Sequence, residues 1–327
     1  MVCAGRRMAV ARTPPMATLD GFIEEWRSDV PYIEAHTSGS TGKPKNIRLP
    51  KTDMESSAMA TNSFFGLGKG SIAALPLSTD YIAGKMMLVR AIIGGYDVVP
   101  LPVSNEICLP DDTTMFDIMP VVPSQLDSLL RHPEYSRQIR NLLIGGASPD
   151  PDTCHRLRKS GYKAYISYGM TETCSHVALA HAEDPERVFH AMHGISFETD
   201  ADGRLIICAP HFSFRRLTTN DIVELRSADS FCWRGRFDNV INSGGIKLYP
   251  EELERLYSPY LQGTNFYVAG RSDSRWGQAV AIVVEGKADE KKIMQTLRDN
   301  LPHKLCPKSI ETVEVLPRTE NGKIRRI

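Results

Sequence analysis

Between residues 51 and 167, short apolar runs alternate with segments whose apolar residues recur at helical spacing. This alternation restricts the fold more than any other feature of the chain. Thr52-Asp53-Met54-Glu55 has capping-box spacing and predicts a helix running to about Phe65. A strand at Ile72–Leu75, a helix over 82–93, a strand over 97–101, a strand near Ile118 and a helix from Ser124 follow. A strand at Leu142–Ile144, a helix from about Asp150 and a strand over 164–167 complete the series. Strands alternating with helices pair in parallel, because returning to the same sheet in the same direction needs a crossover of helix length. The expected fold class is α/β: a large lobe with a mostly parallel sheet flanked by helices on both faces.

Residues 19–28 read as a short amphipathic helix ahead of this series, and residues 204–236 as short strands joined by tight turns. The character shifts again after Phe237. Pro250 stands where a first helical turn would begin, and Glu251, Glu252 and Glu254 suit the positive end of a helix. Strands over 266–269, 279–284 and 310–315 and a helix over 288–300 complete a small α+β unit. The division expected is an N-terminal lobe, 1–237, and a small C-terminal domain, 238–327, with the boundary at Asp238.

Lys+Arg and Asp+Glu both number 39, so the formal charge is zero, which excludes a broad basic face for nucleic acid and leaves small anions open. The 7 cysteines form no CxxC pair and read as reduced thiols of a cytoplasmic protein. His190 and His193 lie three apart, with no cysteine or carboxylate cluster to complete a zinc site. No apolar stretch has the length of a secretory leader or a membrane span, so no membrane partner is expected.

The densest chemical signal is His36-Thr37-Ser38-Gly39-Ser40-Thr41-Gly42-Lys43-Pro44-Lys45. Glycines let a backbone approach an anion, hydroxyls donate to phosphate oxygens, and Lys43 and Lys45 balance charge. A P-loop needs four residues between its glycines and Ser or Thr after the lysine, whereas Gly39 and Gly42 are separated by two and Pro44 follows Lys43. A flexible Ser/Gly/Lys linker has the same composition, so this segment alone does not decide.

The same string resembles the phosphate-binding loop of the AMP-forming acyl-activating superfamily, and four further segments match that family in order. Ile144-Gly145-Gly146-Ala147 resembles its strand-to-loop segment at the nucleotide and acyl pocket. Tyr168-Gly169-Met170-Thr171-Glu172-Thr173 resembles its adenine and magnesium motif. Asp221 with Gly235-Arg236-Phe237-Asp238 resembles its ribose clamp and hinge, and Pro317-Arg318-Thr319-Glu320-Asn321-Gly322-Lys323 its catalytic-lysine loop. The resemblance implies an enzyme that activates a carboxylic acid with ATP and Mg²⁺ and passes the acyl group to coenzyme A. It assigns phosphates to Thr37, Ser38, Gly39, Ser40, Thr41, Gly42, Lys43 and Lys45. Adenine and ribose fall to Gly145, Gly146, Ala147, Tyr168, Gly169, Met170, Asp221 and Arg236. Thr171 is expected at the α-phosphate, Glu172 as the metal carboxylate and Lys323 as the catalytic cation. The loop Ser243-Gly244-Gly245 is assigned to the CoA tunnel.

The helix Ile82-Ala83-Gly84-Lys85-Met86-Met87-Leu88-Val89-Arg90 lies where the acyl pocket should be and resembles the same segment of o-succinylbenzoate–CoA ligases. There a cation serves a dicarboxylate, so Lys85 and Arg90 become the acyl-substrate candidates. Ligation of another aromatic or fatty acid, and nucleotide binding without catalysis, are the alternatives. The chain departs from typical relatives by lacking a subdomain ahead of residue 37, and retention of every motif favours a reduced enzyme over an inactive fragment. Apolar surface bared by that shortening is what a homodimer would cover. A lysine common shortly after the hinge is replaced by Asn242.

Overall fold

The computed structural model describes residues 16–36, 46–318, 324 and 326 of the chain. The large lobe runs α1 (Met16–Arg27), β1 (Tyr32–His36), β2 (Asn46–Pro50), α2 (Lys51–Phe65), β3 (Ile72–Leu75), α3 (Ile82–Gly94), β4 (Asp97–Pro100) and β5 (Met119–Val121). It continues through α4 (Leu126–Arg131), β6 (Leu142–Ile144), α5 (Pro151–Lys159), β7 (Ala164–Gly169), β8 (His176–His181), β9 (Val188–Ala191), β10 (Ser196–Thr199), β11 (Arg204–Ala209), β12 (Arg215–Ser227) and β13 (Ser230–Arg236). The small lobe holds β14 (Ile241–Ser243), β15 (Ile246–Leu248), α6 (Pro250–Tyr257), β16 (Phe266–Asp273), β17 (Gly277–Glu285), α7 (Glu290–Asn300) and β18 (Ser309–Val313).

The α/β architecture holds, and its main sheet is mixed. Nine strands lie in the order β10-β11-β12-β13-β9-β8-β7-β6-β5, of which β5, β6 and β7 pair in parallel. The rest are antiparallel for a reason of chain length. Only a six-residue turn separates Gly169 from His176, too short for a crossover, so β8 must return antiparallel beside β7. The turns 200–203 and 228–229 impose the same on β10-β11 and β12-β13. The parallel order read over 51–167 therefore holds for β3-β4 and β5-β6-β7, and the hairpins begin at 176 rather than 204.

The helix predicted from a capping box at Thr52 begins two residues earlier, at Lys51. Pro50 occupies the N-cap position of α2 without a side-chain cap bond. Buried Asp53 instead accepts from the Ser213 N–H at 3.0 Å and its hydroxyl at 2.6 Å, fastening the start of α2 to the 210–214 turn. The helix expected from Ser124 is a 3₁₀ turn, Pro123–Gln125, followed by α4.

α2 and α3 pack against each other through Met54, Ala58, Met86, Met87 and Val89, all fully buried in the core beneath the sheet. The small lobe has separate cores that follow strand alternation. Val268, Val280, Ile282 and Val284 face α6 and α7, whereas Tyr267, Ala269 and Val283 face Leu316 on the opposite side. The lobes meet at the start of α6. Arg234 donates to Glu252 at 2.6 Å, Arg255 to the Trp233 carbonyl at 3.0 Å, and Asn239 to Glu251. No helix among the described residues is long and apolar enough to cross a membrane.

Candidate active site

Parallel strands present their following loops along one edge of a sheet, where the C-terminal ends of strands leave room for ligands. Gly145, Gly146 and Ala147 follow β6 on the neighbouring strand to β7, which ends in Gly169 and leads to Met170, Thr171 and Glu172. The Ser167 hydroxyl donates to the Ile144 carbonyl at 2.9 Å, joining the two strand ends. Thr171–Thr173 forms a single 3₁₀ turn, closed by the Met170 N–H donating to Thr173 Oγ1 at 3.0 Å. The turn leaves Thr171 half-buried and Glu172 exposed, with no partner for the Glu172 carboxylate among the described residues. Gly169 is required by close approach: a Cβ there would lie 2.2 Å from the Ser175 carbonyl oxygen and 2.5 Å from His176 Cα.

Asp221 collects three donors. The Tyr168 hydroxyl donates to Oδ2 at 2.7 Å, Trp233 Nε1–H to Oδ1 at 3.1 Å, and Arg236 Nη1 reaches Oδ1 at 3.4 Å. Asp221 and Arg236 are paired across β12 and β13, which is why residues fifteen apart in sequence share one carboxylate. Tyr168 is fixed edge-to-face against Phe231 and Phe189, at 5.0 and 5.7 Å between ring centres. Burial first, and then the Asp221 carboxylate, raise its phenol well above the ordinary range, so it remains a donor. Tyr168 thus anchors the carboxylate as well as standing at the strand end.

Behind the Thr171–Thr173 turn lies a buried polar chain. Arg90, on α3, is 2% exposed and donates through Nη2 to the Ser175 hydroxyl. Its Nε–H has no partner, and no carboxylate among the described residues lies within ion-pair distance of the guanidinium. The groups around it are neutral: His176, Asn62, whose amide donates to the Arg90 carbonyl at 2.8 Å, and Tyr96, which donates to Asn62 at 3.1 Å. Burial lowers the Arg90 pKa to about 10, against a smaller opposing effect of Tyr96, so the group stays charged near neutrality. Burial, followed by the Arg90 charge, pushes His176 well below the ordinary histidine range.

Lys85 does not join Arg90. Five residues along a helix turn the direction by about 140°, so the two cations leave α3 on different faces. Lys85 reaches Glu25 at 3.4 Å and the Glu34 carbonyl at 3.2 Å, above the Phe22 ring. It braces α3 against α1 and β1, apart from Arg90. Asp238 is exposed in the 3₁₀ turn Phe237–Asn239 and accepts from the Asn220 amide. Ser243, Gly244 and Gly245 form the β14–β15 hairpin, whose two central residues have φ of +57° and +83° and so suit glycine. Thr37, Ser38, Gly39, Ser40, Thr41, Gly42, Lys43, Lys45 and Lys323 lie outside the described residues. Trp233, Ser175, His176 and Thr61 emerge only from the fold. The one sequence signal was a histidine opening an apolar run, His176-Val177-Ala178-Leu179-Ala180.

Known families and structures resemble this chain in sequence and fold. The AMP-binding enzyme family matches residues 14–197, and the AMP-binding enzyme C-terminal domain matches residues 252–323. The chain belongs to the AMP-binding enzyme family, the class of adenylate-forming ligases. Among its relatives is the 2-succinylbenzoate–CoA ligase of Listeria monocytogenes, 25% identical over 93% of this chain and 71% of that protein. A crystal structure of an acyl-CoA synthetase (AMP-forming)/AMP-acid ligase II-like protein from Dyadobacter fermentans superposes with a TM-score of 0.65. It is 31% identical and covers 98% of this chain and 94% of its own. The fold also matches o-succinylbenzoate CoA synthetase from Bacillus subtilis in complex with the acyl-adenylate intermediate OSB-AMP. There the TM-score is 0.75 at 22% identity, over 90% of this chain and 67% of that one.

Proposed function

We propose that the chain is an ATP-dependent carboxylate–CoA ligase whose acid is a dicarboxylate of the o-succinylbenzoate kind. In the first step a carboxylate oxygen attacks the α-phosphorus of ATP, the bond to the bridging oxygen breaks, and pyrophosphate leaves. In the second the CoA thiol loses its proton and attacks the acyl carbon, and AMP leaves.

The observation that carries the choice of acid is Arg90. A guanidinium 2% exposed, with neutral neighbours and an unused Nε–H, carries a desolvation penalty of several kcal/mol that no described carboxylate offsets. A bound carboxylate relieves it. Half-buried Ser175 accepts from Arg90 Nη2 and leaves the Nε–H without a partner. The names of the Listeria and Bacillus relatives support the same acid.

The remaining roles follow from chemistry. Asp221, held from one side by Tyr168 and Trp233, accepts from the ribose hydroxyls, with Arg236 beside it. Glu172 is the carboxylate for Mg²⁺, an ion that takes one or two carboxylates together with substrate phosphates and neutralises their charge. An exposed, unpartnered side chain fits that use. Residues 37–45 cradle phosphates, Thr171 donates to the α-phosphate, and Lys323 supplies positive charge to the entering and leaving oxygens. Asp221→Ala is expected to raise the KM for ATP about 100-fold, the loss of two charge-assisted hydrogen bonds, measured by steady-state pyrophosphate release.

We place the lobe boundary at Asp238 and the rotation between half-reactions about the same residue. The Gly244–Gly245 turn would then serve the pantetheine arm in one arrangement and Lys323 the adenylate in the other. Asp238→Pro is expected to spare one half-reaction and lower the other at least about tenfold. Separate assays of adenylate formation and of thioester formation from supplied acyl-adenylate check this, and equal loss of both contradicts the rotation. The function itself is tested by incubating the protein with ATP, Mg²⁺, o-succinylbenzoate and CoA. Mass spectrometry should find the CoA thioester with AMP; AMP with no thioester removes the ligase reading.

A further inference from the structure

The hydroxyls around Arg90 settle one proton after another. Thr61 Oγ1 lies 3.0 Å from the Ser57 carbonyl within α2, an acceptor only, so the hydroxyl donates there. Thr61 Oγ1 must then accept from His176 Nε2, 3.1 Å away, which places the ring proton on Nε2 and a lone pair on Nδ1. That lone pair faces the Ser175 hydroxyl at 3.3 Å and Arg90 Nη2 at 3.5 Å. Ser175 donates to it and in turn accepts from Arg90. The result is a directed chain, Arg90 to Ser175 to His176 to Thr61 to the Ser57 carbonyl, in which every hydrogen has one destination. The alternative tautomer would aim an N–H at the guanidinium and leave Thr61 with one hydrogen between two acceptors, the Ser57 carbonyl and Nε2.

We propose that His176 is a specificity-determining positioning residue, whose Nδ1 lone pair holds the Ser175 hydroxyl and through it orients Arg90 as the donor for the acid's second carboxylate. It rests on the reading of Arg90 given above. Burial keeps the ring uncharged beside a fixed cation, so the subsite presents a single positive charge matched to one carboxylate. The anchor on α2 and the cation on α3 are tied through His176 at the start of β8, paired with Gly169. The strand position explains the residue type: only histidine places an acceptor near the backbone and a donor farther out on one rigid ring.

Asparagine and glutamine divide these two functions. His176→Asn puts an acceptor where Nδ1 stands and gives up Thr61; His176→Gln puts a donor where Nε2 stands and gives up Arg90. Pyrophosphate exchange is read with o-succinylbenzoate and with benzoate, benzoate being used as a competitive inhibitor where its turnover is too slow. His176→Gln is expected to raise the KM for o-succinylbenzoate about tenfold, with the benzoate constant moving less than about threefold, and His176→Asn to stay within about threefold for both. In an Arg90→Ala background the glutamine effect should vanish. Equal effects of both substitutions on both acids, or a glutamine effect that persists without Arg90, overturn the positioning role. If Arg90→Ala alone fails to distinguish the two acids, the carboxylate reading of Arg90 falls and this one falls with it. If Arg90→Ala is selective and His176→Gln is not, only the role of His176 is lost.

Discussion

Arg90→Ala should raise the KM for o-succinylbenzoate about 100-fold while changing that for benzoate less than about threefold, because truncating one member of a buried charge pair removes 2–5 kcal/mol or so. The argument lies in what surrounds the guanidinium. Ser175, His176, Asn62 and Tyr96 are all neutral partners, so the charge gains little until an anion arrives. A monoacid that places its one carboxylate at the α-phosphate has nothing for Arg90 to bind. Stability provides an independent reading of the same point. Arg90→Met keeps a long side chain and removes the desolvated charge, so the ligand-free protein should melt no lower than wild type. Michaelis constants for the two acids and the melting temperature of the methionine variant check both halves. A sharp loss of stability in Arg90→Met would assign the arginine to the fold.

Lys323→Ala should lower adenylate formation about 10²–10³-fold while leaving the Kd for ATP within about threefold, the pattern of a group that acts on charge developing in the transition state. In-line displacement at phosphorus builds charge on both apical oxygens, and an ammonium serves them without binding the ground state tightly. Arg326, three residues beyond, is held by Glu254 at 2.6 Å and by Glu251 at 3.2 Å. Arg326 is thereby fastened to α6 on the small lobe. Rapid-quench measurement of acyl-adenylate beside equilibrium ATP binding separates the two quantities. A parallel fall in both would make Lys323 a binding residue.

The elements legible in the sequence were those whose cause is local. Leu142–Ile144 is a buried apolar run, and Pro250 with its following glutamates marks a helix start from within one turn. Asp150 capping α5 through the Thr153 N–H is local in the same way. Long-range contacts were legible only where motif order carried them, as with Asp221 and Arg236. His176 meets Thr61 across 115 residues and Arg90 across 86, and no periodicity in either segment announces the meeting. A lone histidine beside alternating alanines reads as an ordinary strand end until α2 and α3 are seen beneath it. Lys85 is the converse case: the helical wheel separates it from Arg90, and the fold gives it Glu25. The antiparallel part of the main sheet lies outside the alternating segment, since the Gly169-to-His176 turn sets β8 antiparallel whatever the composition of β8.

The most direct measurement of the central claim is ATP–pyrophosphate exchange by the purified protein with o-succinylbenzoate as the only acid, alongside the Lys323→Ala protein. The account predicts exchange that requires both the acid and Lys323, because the first half-reaction is complete without CoA. Exchange supported by other acids and not by o-succinylbenzoate would keep the adenylation chemistry and contradict the subsite at Arg90. ATP bound without exchange under any acid would contradict catalysis itself.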